Sequence, residues 1–261
     1  MYKYGEKTMN PILKEILCTR EVTSDEGERF PLRDEISSDE GILLQHIIDV
    51  IKPKVCLEIG CAYGVSTLFI CETLKKVGAS KHIVIDPYQN SLFKGIGLKN
   101  IRQAGYEELI EFIEQPSEIA LASLLEQETC IDFAFIDGWH TFDHALLDFF
   151  YINMMLNVGG VVAFDDTNWQ SISKLCRFIS RYPCYRIFGI LPTEPKKLYE
   201  QMIHRFIVTK KLVNSLITHV ISFKPSLEYF NKDLEITRAG RCLAFIKEKE
   251  DKRKHNWHID F

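Results

Sequence analysis

The sequence predicts an α/β fold: a doubly wound sheet of mostly parallel strands with helices on both faces. Three observations predict it. Short apolar runs alternate with helical patterns between residue 38 and about residue 190. The first run is followed by a glycine-bearing turn, Glu58-Ile59-Gly60-Cys61-Ala62-Tyr63-Gly64, that leads straight into a helix. Acidic residues stand at the C-terminal ends of later runs, at Asp86, Asp137, Asp165 and Asp166, where open α/β sheets hold their ligands.

The elements follow in order. Residues 1–37 are polar, with the charged stretch Ser24-Asp25-Glu26-Gly27-Glu28, and read as an irregular arm or cap. Residues 41–51 have helical apolar spacing; Ser38 or Asp39 suits the N-cap, and Pro53 ends the helix. Strands are predicted at 55–59, 82–85, 109–113, 131–136 and 161–164, and helices at 65–77, 92–104, 117–125 and 141–156. Gly159-Gly160 supplies a tight turn before the fifth strand. Pro192 and Pro195 break the alternation, and residues 192–236 read as a helical insertion. A final strand at 241–247 completes a main domain over 38–248, and a charged, loosely held tail occupies 249–261.

Composition narrows the function classes. The chain has 261 residues, 46% hydrophobic and 26% charged, which supports a packed core and excludes global disorder. A net charge of -4 gives no general attraction to nucleic acid, so none is expected as a partner. No apolar run reaches the ~20 residues that span a bilayer, so stable membrane insertion is not expected. The first fifteen residues lack the apolar core of a secretory signal, and several of the eight cysteines lie inside apolar runs. These features predict reduced thiols and a cytoplasmic location. No CxxC pair suggests a zinc site.

The chemistry is read from the turns. Gly60 lets the backbone turn sharply and approach a ligand, and Gly64 frees space at the start of the next helix. Ser66 sits in that helix's first turn, where a hydroxyl can bind a carboxylate. Asp86 ends the next run; it either accepts hydrogen bonds from ribose hydroxyls or serves as a turn aspartate. The dinucleotide pattern G-x-G-x-x-G is not met, since position 62 is Ala and position 65 is Val. Asp137, Asp165 and Asp166 end neighbouring strands, and three converging carboxylates repel unless protonated or bound to a cation. A hard divalent cation, magnesium above all, resolves that repulsion; alternatively, Asp166 caps the helix beginning near Trp169. His140 is either a general base with a pKa near 6.5 or a structural residue at a helix start.

These residues resemble a known pattern. The Glu58–Gly64 turn with Asp86 resembles the donor-binding motifs of class I S-adenosylmethionine-dependent methyltransferases. The segments Phe135-Ile136-Asp137-Gly138-Trp139-His140 and Gly159-Gly160-Val161-Val162-Ala163-Phe164-Asp165-Asp166 look like the catechol and macrocin-type O-methyltransferases. The resemblance covers about residues 38–190. It implies a Rossmann-like, mostly parallel seven-stranded sheet whose last strand is antiparallel. It implies S-adenosylmethionine as cofactor, with Glu58, Gly60, Tyr63, Gly64 and Ser66 around the methionine part, Asp86 at the ribose, and Pro116 and Ser117 near the adenine. Asp137 would line the transfer site and, with Asp165 and Asp166, hold the cation, while His140 stands where the catechol-type pattern has a lysine base. The implied reaction is metal-assisted methylation of a hydroxyl on a small molecule of sugar, phenol or natural-product type.

Two other functions compete: an NAD-linked oxidoreductase, and a non-catalytic donor-binding protein that kept the fold. Within 192–236, Met202, Ile203, Phe206, Ile207 and Leu212 recur at helical spacing. That stretch fits a lid over the acceptor pocket, a homodimer element or a helix on a membrane surface.

Overall fold

The computed structural model describes residues 9–258 apart from 34, 80, 193–235, 237 and 238. The expected insertion at 192–236 therefore lies almost wholly outside the described residues.

From residue 9 onward the described part of the N-terminal arm is not irregular. Helix α1 (Pro11–Thr19) starts on Asn10, whose side chain accepts from the Ile12 amide, with Pro11 at the first helical position. Strands β1 (Glu21–Thr23) and β2 (Arg29–Pro31) then form an antiparallel hairpin that turns at Gly27. Leu13, Ile16 and Val22 are buried, which ties this unit to the domain. Helix α2 (Ser38–Ile51) is capped one residue earlier than expected, by Ser37 in a reciprocal capping box with Glu40.

The alternation then runs as predicted. Strand β3 (Val55–Ile59) leads to α3 (Val65–Val77), β4 (Lys81–Ile85) to α4 (Ile96–Gln103), and β5 (Ile110–Ile113) to α5 (Ser117–Glu126). Strand β6 (Ile131–Ile136) leads to α6 (Phe142–Met155) and β7 (Leu156–Phe164) to α7 (Gln170–Ser180). Strands β8 (Tyr185–Pro192) and β9 (Ala239–Lys247) finish the sheet. Helix α4 begins later than its apolar pattern suggested because turns bonded to the Tyr88 carbonyl occupy the preceding residues and Gly95 stands at its N-cap. Gly159 keeps its left-handed backbone, but it lies inside an irregular opening of β7.

The seven strands are ordered β5-β4-β3-β6-β7-β9-β8. Only β9 runs antiparallel to its neighbours. Strand side chains alternate between two cores. Leu57, Ile83, Ala134 and Val162 face the layer of α5, α6 and α7, whereas Cys56, Val84, Phe133 and Val161 face α2 and α3. Such two-sided burial explains why these strands read as continuous apolar runs.

The tail is held rather than loose as far as residue 258. Arg253 stacks 3.5 Å from the Tyr182 ring centroid, Trp257 packs against the same ring, and Asp251 accepts from the Asn153 amide at 3.0 Å. All eight cysteines are free thiols. Among the described residues no helix is long and apolar enough to cross a membrane.

Candidate active site

Strand order reverses between β3 and β6, so the turns leaving these two strands part and open a crevice at their C-terminal ends. The two turns still touch at one point. Gly60 has φ +93°, and a Cβ there would lie 2.0 Å from the Asp137 carbonyl oxygen. Glycine is therefore required by close approach as well as by the left-handed backbone. Gly64, with φ +83°, is the N-cap of α3 and offers no side-chain cap, which leaves the helix's first amides to other partners.

Glu58 lies fully buried under this turn. Its Oε1 accepts from the Ser66 hydroxyl at 2.5 Å and its Oε2 lies 2.8 Å from His82 Nε2. The carboxylate that Ser66 binds is thus Glu58's own. Tyr63 packs edge-on against Phe93, and its carbonyl accepts from Asn100.

Asp86 is buried and knits the turn together. Its Oδ2 accepts from the backbone N–H groups of Cys61 at 3.0 Å and Ala62 at 2.8 Å, while its Oδ1 accepts from Tyr88 N–H at 2.7 Å. The turn-aspartate role is realised. Pro116 is the N-cap of α5 and Ser117 its first residue. The Ser117 hydroxyl bonds Asp148, whose carboxyl burial pushes up to about 6.

The acidic cluster forms beside the turn. His140 Nε2 stands 3.5 Å from Asp137 Oδ1 and 3.1 Å from Asp166 Oδ2. One ligand-type atom from each of Asp137, His140 and Asp166 lies within 4.8 Å of the others. Asp166 adopts φ +48°, which aspartate tolerates better than most residues, and it does not cap α7, whose N-cap is Trp169. Asp165 lies on the buried side of the cluster, with Arg241 Nη2 3.6 Å from its Oδ2. Arg241 also reaches Glu40 Oε1 at 3.5 Å and Asp166 Oδ1 at 3.2 Å.

The electrostatics follow from these contacts. Asp137 and Asp166 hold the His140 proton, so its pKa is pushed up to about 10 despite partial burial. Burial raises Asp137 to about 6, with His140 opposing. Burial, then the charges of Asp137 and Glu40, pushes Asp165 up to about 9, so it is protonated at neutral pH. Burial also works against ionisation of Asp166, but His140 and Arg241 outweigh it and hold its pKa below the usual range. His140 is therefore an imidazolium here, which fits the structural role, of the two open to it from the sequence, better than that of a base with a pKa near 6.5.

Glu40, Arg241, His82 and Trp169 did not emerge from sequence reasoning. Glu40 could have been found through its capping box, and His82 and Arg241 as lone polar residues in apolar runs. Trp169 stacks on His140 with centroids 5.1 Å apart and is half exposed.

Residues 57–167 match a family described as a methyltransferase domain. The chain is 31% identical over 141 residues to the caffeoyl-CoA O-methyltransferase of Zinnia elegans, covering 51% of this chain and 54% of that protein. It is 27% identical over 157 residues to the flavonoid 3',5'-methyltransferase of Vitis vinifera, covering 58% of this chain and 62% of that protein. The chain thus spans between half and two thirds of the length of these curated relatives. Its fold is similar to an O-methyltransferase from Bacillus cereus in complex with SAH (TM-score 0.57, 18% identity, 74% of this chain and 87% of that one). It is also similar to an SAH-bound methyltransferase of Podospora anserina (TM-score 0.56, 20% identity, 70% of this chain and 84% of that one).

Proposed function

From the match of residues 57–167 to a family described as a methyltransferase domain, we propose that the chain moves the methyl group of S-adenosylmethionine to a hydroxyl oxygen of a small molecule, with a divalent cation at the acidic cluster. One observation carries the reading. The Gly60 turn and the Asp137 turn are in contact, so a donor on the first lies beside an acceptor at the second.

The residues fit both groups. The uncapped start of α3 suits the donor's carboxylate, because free helix N-terminal amides attract anions. Asp137, His140 and Asp166 bring two oxygens and one nitrogen to a common point, which suits a divalent ion. Bound there, the donor supplies an electrophilic methyl group and the cation lowers the pKa of an acceptor hydroxyl. The chain's own work is positioning. Gly60 and Gly64 shape the donor turn, Asp86 holds it closed, and Asp137 and Asp166 present the acceptor end. Protonated Asp165, with Glu40 and Arg241, braces that end from behind. The half-exposed indole of Trp169, packed against the His140 ring, suits a flat or carbohydrate acceptor.

The test uses methyl-labelled donor with a panel of phenols, catechols and sugars. Label is expected in an oxygen of one class, with Asp137→Asn abolishing transfer while leaving the fold intact. Tight donor binding without transfer to any hydroxylated acceptor overturns the enzymatic reading and leaves a donor-binding protein.

A further inference from the structure

Resting on the cation of that reading, we propose that His140 is itself a ligand and that the site therefore favours a first-row transition ion over magnesium. Carboxylates alone favour magnesium, whereas an imidazole nitrogen in the donor set favours manganese, iron, cobalt or zinc.

The geometry of His140 carries the inference. Its Nε2 is sealed from solvent and faces oxygens of Asp166 and Asp137 at 3.1 and 3.5 Å. A ring nitrogen held between two carboxylate oxygens faces the same space as they do, and an ion entering there takes the place of the imidazolium proton, which is released to solvent. That space is within reach of all three donor atoms. Behind it, the Oδ1 of the buried Asp165 has no hydrogen-bond partner. The ring is held in this pose from outside: Trp169 stacks on it, and the Ser171 hydroxyl donates to the His140 carbonyl at 2.6 Å. Ligands fixed by surrounding contacts of this kind bind metal more tightly than free ones. The site combines one imidazole and two carboxylates.

The experiment titrates the metal-free full chain with magnesium and with cobalt(II) by calorimetry, following cobalt through its visible absorption band. Cys18 and Cys130, the exposed thiols, are first replaced by serine to remove competing ligands. Cobalt binds most nitrogen or oxygen sites more tightly than magnesium, so the decisive comparison is with His140→Gln. This variant is expected to lose cobalt affinity by about tenfold or more, to shift the absorption band and to keep its magnesium affinity within a few-fold. An unchanged cobalt affinity and spectrum in His140→Gln overturns the ligand assignment and leaves the cation reading standing. If neither ion binds the parent protein, the cation reading fails and this inference with it; labelled methyl transfer then decides the enzymatic reading separately.

Discussion

Asp86 shows how much one residue can carry. Its carboxylate accepts from the backbone N–H groups of Cys61 and Ala62 and so satisfies two donors inside a tight turn. Asp86→Ala is expected to weaken donor binding by about tenfold or more, since charge-assisted hydrogen bonds contribute about 1.5–3 kcal/mol. It should also lower the melting temperature, because buried donors left unpaired cost about 1–3 kcal/mol each. Calorimetric titration of the donor and a thermal melt read the two effects; unchanged donor affinity in the folded variant would exclude Asp86 from the donor site. The sequence located Asp86, and strand-end position was enough for that. It left His140 open between a base and a structural residue, because a pKa depends on distances to two carboxylates from different strands, and spacing along the chain does not contain those distances.

At the scale of elements, the contact between the β3 and β6 turns is the part that cannot be altered cheaply. Gly60→Ala places a methyl group 2.0 Å from a backbone oxygen that has no side chain to move aside. The turns must then separate, at a cost of at least about 1–3 kcal/mol typical of overpacking. Donor binding and metal binding should fall together in this variant, although Gly60 contacts no cluster side chain. Loss of donor binding with metal affinity intact would show that the turns are not coupled. Strands β3 and β6 and helix α3 were legible to the residue, because burial on both faces gives strands unbroken apolar runs and α3 starts and ends on glycine. Helix α1 and the hairpin of β1 and β2 were not, since strands of three residues are too short to show a period. Glu40 and Arg241 escaped for a different reason. Arg241 meets Asp165 and Asp166 because β9 returns antiparallel beside β7, and Glu40 reaches Asp165 from α2, so both meetings belong to the packed fold rather than to any one segment.

The whole molecule places its charges so that pH should act on its stability in a definite direction. Asp165 has its pKa raised from an unfolded value of about 3.9 to about 9, and Asp137 likewise to about 6. His140 is raised from about 6.5 to about 10. Each folded pKa lies above its unfolded one, so between the two values the folded chain holds more protons than the unfolded chain. Stability then falls as pH rises. The contribution of Asp165 is complete below about pH 4 and lost by pH 9, and that of His140 is complete below about pH 6.5 and lost through pH 10. In the presence of a chelator, the melting temperature should therefore decline between pH 6 and pH 9. Asp165→Asn keeps the shape of the side chain but cannot ionise, so its decline over that range should be shallower than the parent's. His140→Gln should flatten the decline across the window from about pH 6.5 to about pH 10. Parallel curves for the parent and Asp165→Asn would mean that Asp165 is already ionised in the folded chain. Arg241 would then be its neutralising partner, and the buried carboxyl behind the cluster would be a charge rather than a neutral brace.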